Sequence, residues 1–154
     1  MYYSKKQLPT QKLAENLWSI SEGSYSNGSP WSTEQFCVDL AQKTSEYLVL
    51  IKEGRWIGFV SYHFVLDEAE ITHVVIHKEF QHKGYGNKLI DQLIQKLVEQ
   101  DICQVFLEVR VSNTSAKKLY EKKGFKTINH RKGYYSHPKE DGIVMCLKVK
   151  EVNQ

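Results

Sequence analysis

Between residues 85 and 100, apolar side chains recur at Leu89, Ile90, Leu93, Ile94, Leu97 and Val98. Lys88, Asp91, Gln92, Gln95 and Glu99 take the intervening positions. This spacing predicts an amphipathic helix with one face on a core. Leu13, Leu17 and Ile20 repeat the same period and predict an earlier helix beginning near Pro9-Thr10. Ser32 and Gln35 are spaced as a capping box and open a second short helix. The segment between these two, EGSYSNGSP, is loop chemistry throughout. Other stretches are shorter and β-branched. Residues 47–51 and 56–66 read as strands joined by a hairpin turn at Glu53-Gly54, and 71–77 and 103–111 as further strands. A helix is predicted over about 114–123, and a closing strand over 143–149. Strands interleaved with helices, with hairpin signals in the first half, predict an α/β (mixed α+β) fold. Its form is a three-layer mixed sheet with helices on both faces.

Composition narrows the picture. The 154 residues fit one domain, 1–154, with 41% hydrophobic and 25% charged residues, as in an ordinary globular chain. The net charge of +3 is mild, and Lys117-Lys118 and Lys122-Lys123 fall at solvent positions of a helix. Direct nucleic-acid binding is therefore not expected. No apolar run reaches the roughly 20 residues a membrane span needs. The N-terminus MYYSKKQLPTQKLAENL also lacks the apolar core of a secretion signal. Cys37, Cys103 and Cys146 share no CxxC spacing and are expected as small buried apolar residues in a reducing cytoplasm.

Two segments carry candidate chemistry. Gln81, His82, Lys83, Gly84, Tyr85 and Gly86 lie between a strand and the start of the long helix. Glycines there let successive N–H groups converge on an anion, and the helix adds its free N–H groups and dipole. Lys83 can add a charged contact. There is no third glycine for GxGxxG and no GK[ST]. An ordinary loop with glycines is the plain alternative.

The second segment is LEVRVSNTSAKKLYEKKGF, 107–125. Along its strand, Val105, Leu107, Val109 and Val111 point one way, and Phe106, Glu108 and Arg110 the other. Glu108 is thus an acid in an apolar strand, where partial burial favours its protonated form. It suits a general base acting directly or through water, or else a simple ion pair with Arg110. Ala116, Leu119 and Tyr120 form the inward stripe of the next helix, so Tyr120 is either a proton donor or a core tyrosine. Asn113 suits its N-cap. His73 and His77 share a strand face, but no third ligand stands at a diagnostic spacing, so no metal is expected.

Taken together, QHKGYG before a long helix and LEVRVSNTSAKKLYEKKGF resemble the GNAT N-acetyltransferase superfamily, which uses acetyl-CoA. SPWSTEQF (29–36), FVLDEAEITHVVIHKEF (64–80), RKGYY (131–135) and EDGIVMCLKV (140–149) are similar to its RimI-type branch, which acetylates the N-terminal alanine of a small-subunit ribosomal protein. The resemblance implies the GNAT fold, a central, mostly antiparallel sheet of about six to seven strands. It implies acetyl-CoA as co-substrate and a protein or peptide N-terminus, from a ribosomal protein, as acceptor. It makes Glu108 the general base and Tyr120 the general acid. Val74, Val75 and Ile76 become the strand whose backbone holds the acetyl and pantetheine portion, with N–H groups near Val75 facing the oxyanion. The pyrophosphate turn runs through Asn87, Asn113 is a CoA contact, and Trp31, His73, Tyr134 and Tyr135 fall on the acceptor side. His82, Lys83 and Asn87 stand where the family usually carries arginines, and His73 and Gly133 where it carries asparagine. An acceptor that is a small-molecule amine, or a non-catalytic acyl-CoA-binding module, is the alternative.

Overall fold

The computed structural model describes residues 1–149. Seven strands form one sheet: β1 (Tyr2–Ser4), β2 (Ser45–Lys52), β3 (Arg55–Val65), β4 (Glu68–Ile76), β5 (Gln104–Arg110), β6 (Lys126–Ser136) and β7 (Lys139–Lys148). Their spatial order is β1-β2-β3-β4-β5-β7-β6, and every pair is antiparallel except β4 with β5. The helices are α1 (Leu13–Ser24), α2 (Thr33–Leu40), α3 (Tyr85–Glu99) and α4 (Thr114–Lys122). None is long and apolar enough to cross a membrane among the described residues.

Two cores sandwich the sheet. Leu89, Ile90, Leu93, Ile94 and Leu97 of α3 and Tyr120 of α4 pack with Val60, Ile71, Val105, Leu107 and Met145 on one face. Leu13, Leu17 and Ile20 of α1 and Phe36 of α2 pack with Val49, Phe59 and Val75 on the other. The predicted hairpin is present: Glu53 and Gly54 both adopt positive φ, 52° and 76°, as a tight turn matched to strand twist requires. The predicted capping box holds too, with Gln35 N–H donating to Ser32 Oγ and Ser32 N–H to Gln35 Oε1. The first helix starts at Leu13, because Lys12 takes a left-handed φ of 64° and blocks an earlier start.

Two details of the sheet position the site. Ser61 faces His73 and Tyr62 faces Ile71, so Thr72 is an extra residue on β4. This bulge reverses the alternation. Ala69 and Ile71 face α3, whereas His73 and Val75 face α1 and α2. Secondly, β4 pairs with β5 only from Glu68 to Glu70, against Gln104 to Phe106. Beyond that point no ladder joins the two strands, and the sheet opens. The cysteines differ from expectation: Cys37 is exposed on α2, and Cys103 and Cys146 are half-buried. Cys37 on α2, Cys146 on β7 and Cys103 just before β5 face partly covered surfaces, so small size alone does not bury them.

Candidate active site

The opening between β4 and β5 exposes main-chain groups. His77 N–H donates to Ile57 C=O (2.8 Å), which makes Ile76–Gly58 a pair that exchanges no hydrogen bonds. By the same alternation Val75 bonds Phe59 in both directions, and the N–H and C=O groups of Val74 and Ile76 turn toward β5. The Ile76 carbonyl confirms this orientation by accepting from Gln81 Nε2 at 3.0 Å. The expectation that N–H groups near Val75 face a ligand is therefore refined: Val75 is committed to the sheet, and its neighbours are the outward-facing pair.

Below the opening, the turn to α3 has the form of an anion cradle. His82 and Gly84 take φ of 62° and 85° on either side of Lys83, so consecutive N–H groups curve toward one side. Gly84 is the N-cap of α3, makes no side-chain cap bond, and no acidic residue lies in the first turn. Among the described residues no side-chain anion caps the free N–H groups and positive dipole end of α3. A Cβ on Gly84 would meet nothing within 4 Å, so that residue borders open space. Gly86 has another reason: its Cβ would lie 3.4 Å from Leu119 Cδ2, so it allows α3 to approach α4. Lys83 and Lys88 lie over Phe80 and Tyr85. Asn87 Oδ1 is buried without a partner among the described residues. The free N–H groups and the two lysines fit the diphosphate of a nucleotide-bearing donor. Asn113 caps α4, accepting from Ala116 N–H at 3.2 Å.

Glu108 and Tyr120 flank the opening from opposite faces. Glu108 lies opposite Val144 on the side of α1 and α2. It is not paired with Arg110, which binds Glu140 (3.1 Å) and the carbonyls of His137 and Pro138. Its neighbour is Tyr134, whose hydroxyl reaches the Glu108 carboxylate, and that hydrogen bond is the largest cause holding the phenol's pKa above normal. Tyr120 lies on the α3 side, buried, with Phe125 5.6 Å away. Burial first, and Tyr135 second, raise its pKa, so it stays protonated at neutral pH. Tyr135 is pushed up to about 12 by burial and then by Glu108, which puts it near both groups. Strand alternation would send Tyr134 and Tyr135 to opposite faces. Between Arg131↔Gly142 and Tyr135↔Glu140 the register slips, Gly133 takes φ 61°, and both rings pack on Gly142.

Tyr25, at the C-terminal end of α1, is a candidate that sequence reasoning passed over as loop. Burial, then Tyr120 and Tyr135, hold its pKa above normal, so three phenols converge. An aromatic inside a Ser/Gly-rich loop was the available signal. Its ring also lies 6.4 Å from His73, which is almost fully buried among Trp31 (4.5 Å), Phe36 (5.1 Å) and Phe59 (5.9 Å). That burial lowers the His73 pKa to about 4, so the ring is neutral. Its Nδ1 meets Ser61 Oγ at 3.1 Å, and its Nε2 has no partner among the described residues. His77 is spent otherwise, accepting from Glu79 N–H at 3.1 Å. Among the described residues no group of three or more metal-ligating side chains forms.

A seven-stranded sheet that parts after a bulged fourth strand, above an uncapped helix, is the arrangement that comparison with known families identifies: residues 10–125 match the acetyltransferase (GNAT) family, and the chain belongs to it. Among curated relatives, the [ribosomal protein bS18]-alanine N-acetyltransferase of Escherichia coli (strain K12) is 32% identical over 122 residues, 78% of this chain and 82% of that one. The enzyme of the same designation from Haemophilus ducreyi is 37% identical over 123 residues, covering 77% and 83%. A crystal structure of the ribosomal-protein-S18-alanine N-acetyltransferase from Escherichia coli superposes with a TM-score of 0.85 at 28% identity, covering 97% of this chain and 94% of that one. The chain is accordingly an N-acetyltransferase, of a family that uses acetyl-CoA.

Proposed function

We propose that this N-acetyltransferase is a cytoplasmic enzyme that transfers acetyl from acetyl-CoA directly to the α-amine of a protein beginning with alanine, a ribosomal protein being the favoured acceptor. The observation that carries the reading is the opening beyond Glu70, with a carboxylate on one face and a protonated tyrosine on the other. Acetyl-CoA supplies an acetyl group activated as a thioester. The N–H groups of Val74 and Ile76 hold its acyl-pantetheine portion, the turn 81–87 holds its diphosphate, and Asn113 borders it. Glu108 accepts a proton from the incoming ammonium, directly or through water. Tyr120, which burial keeps protonated at neutral pH, gives a proton to the departing sulfur and is reprotonated by the second proton the amine nitrogen sheds as the amide forms. Base and acid on opposite faces suit a direct transfer, in which nucleophile and leaving group flank one carbon.

The acceptor assignment rests on the relatives' designations and on proton chemistry. Near pH 7.5 an α-amine with pKa about 8 is roughly a quarter neutral, against about a thousandth for a lysine at about 10.4. One carboxylate manages the first far more easily. Trp31, His73, Tyr134 and Tyr135 wall the acceptor side. The test compares kcat/KM for an alanine-first peptide, its N-blocked form containing lysine, and a polyamine. Preference for the first supports the reading; a preference of about tenfold for either other acceptor, or 1.4 kcal/mol, overturns it.

A further inference from the structure

The acceptor has residues beyond its first, and the face carrying Glu108 shows where they run. Strand pairing lines up His63 of β3, Glu70 of β4, Phe106 of β5 and Cys146 of β7 on the side of α1 and α2. This row lies one step along the strands from Glu108 and Val144. Tyr134 senses the charges of both Glu108 and Glu70, so Glu70 stands at the mouth of the site. Beyond His63 a groove opens against α2, lined by Trp31, Glu34, Gln35, Val38, Gln42 and His63. Trp31 belongs to both regions: its ring packs on His73 at 4.5 Å and also borders the groove.

The chemistry of this path is uneven in a telling way. Val38 is 63% exposed, and Trp31 and Phe106 are half-buried, so its floor is apolar. Glu34 and Glu70 are exposed, and neither forms a hydrogen bond or ion pair with another described residue. Asp39 beneath them is already engaged by His63 and by Tyr47, whose hydroxyl donates at 2.5 Å. No lysine or arginine lines the groove, although the chain as a whole carries a net charge of +3. Lys126, paired with Cys146, ends the row on β6, so the path is a local negative, apolar trough from Glu70 to the groove on α2. We propose that it docks the acceptor's residues after the first, and that these combine apolar and cationic side chains. The proposal rests on the acceptor being a polypeptide N-terminus, and it assigns Glu34 and Glu70 as specificity residues that never touch the reacting atoms. Like-charged acceptors are disfavoured by the same carboxylates.

Three alanine-first hexapeptides test it, identical at the first residue, with positions two to five rich in lysine and leucine, in serine, or in glutamate. The lysine–leucine peptide should exceed the serine peptide in kcat/KM by roughly tenfold at low salt, with the glutamate peptide lowest. Raising ionic strength should compress that ratio, since these carboxylates are exposed. In the double variant Glu34→Gln, Glu70→Gln the ratio should fall to about one, read as a change in KM more than in kcat. Equal use of the three peptides by the wild-type enzyme, or a ratio that survives in the double variant, overturns the proposal. So does concentration-dependent dimerisation that the double variant abolishes, which would make the trough a self-interface. Failure to acetylate any of the three peptides removes the α-amine reading itself and this proposal with it, whereas acetylation without discrimination removes only the proposal.

Discussion

Strands β2 to β4 are covered on both faces, by α1 and α2 on one and α3 on the other, whereas β5 and β7 are covered by helices on only one and β6 lies exposed at the edge. In the first half, apolar side chains alternate into two cores; of the polar ones buried with them, Ser61 and Asp39 are tied into hydrogen bonds and His73 is held through Nδ1. In the second, the uncovered face carries Phe106, Glu108, Arg110, Val144 and Cys146, none with a helix above it. The difference teaches that the fold divides its work. The doubly covered half supplies rigidity, and the reacting groups collect where it meets the half-covered part. A base can accept and release protons there because solvent and acceptor both reach it.

That division predicts different consequences for substitutions on either side. Glu108→Gln should leave unfolding nearly unchanged but cut kcat/KM by about 100-fold or more below the acceptor's pKa. Survival of the acidic limb of the pH–rate profile at wild-type height would show that Glu108 is not the base. Tyr120→Phe should slow turnover more than it weakens acetyl-CoA binding, and a loss confined to binding would make it a packing residue. Leu93→Ala, in the doubly covered half, should cost about 2–5 kcal/mol in urea unfolding. Phe106→Ala on the open face should cost only about 1 kcal/mol. Equal losses would erase the contrast.

His73 sharpens the comparison through pH. Its pKa falls from the ordinary 6.5 to about 4 on folding, because burial disfavours the cation. The unfolded chain therefore binds a proton in a range where the folded chain does not. Stability is full above about pH 6.5 and declines as pH falls toward 4, by roughly 3 kcal/mol at most. His73→Asn should flatten that limb, which urea titrations at neutral and mildly acidic pH would measure. Gly84→Val probes the turn into α3. Its positive φ strains any side chain, and a Cβ enters the space above α3. Calorimetric affinity for CoA should drop about tenfold, or 1.4 kcal/mol. Undiminished affinity would remove the cradle from the account.

The covered half was largely legible from sequence because its signals are local. The 3.6-residue stripe of α3, the Ser32–Gln35 box and the Glu53-Gly54 turn each follow from near neighbours in the chain. The open half was less so. Residues 126–136, KTINHRKGYYS, form an eleven-residue edge strand that is exposed along nearly all its length, so no alternation announces it. Three-residue β1 is too short to show a period. The bulge at Thr72 is set by pairing with β3, and no glycine or proline marks it among the β-branched residues Ile71, Thr72, Val74, Val75 and Ile76. Glu108, Tyr120 and the turn 81–87 were nameable as candidates. That Tyr25 joins them from the α1 end, and that Arg110 turns away to Glu140, depended on contacts distant in sequence.

The central claim is that the sheet parts after Glu70 so that β4 presents Val74 and Ile76, and not Val75, to the co-substrate. Residue-resolved amide hydrogen exchange by NMR, without and with saturating acetyl-CoA, tests it most directly. The Val75 amide, bonded to Phe59, should be protected in both states, while those of Val74 and Ile76 should exchange quickly in the free protein and slow on binding. Protection of Val75 that appears only with acetyl-CoA, or Val74 and Ile76 amides indifferent to it, would contradict the account.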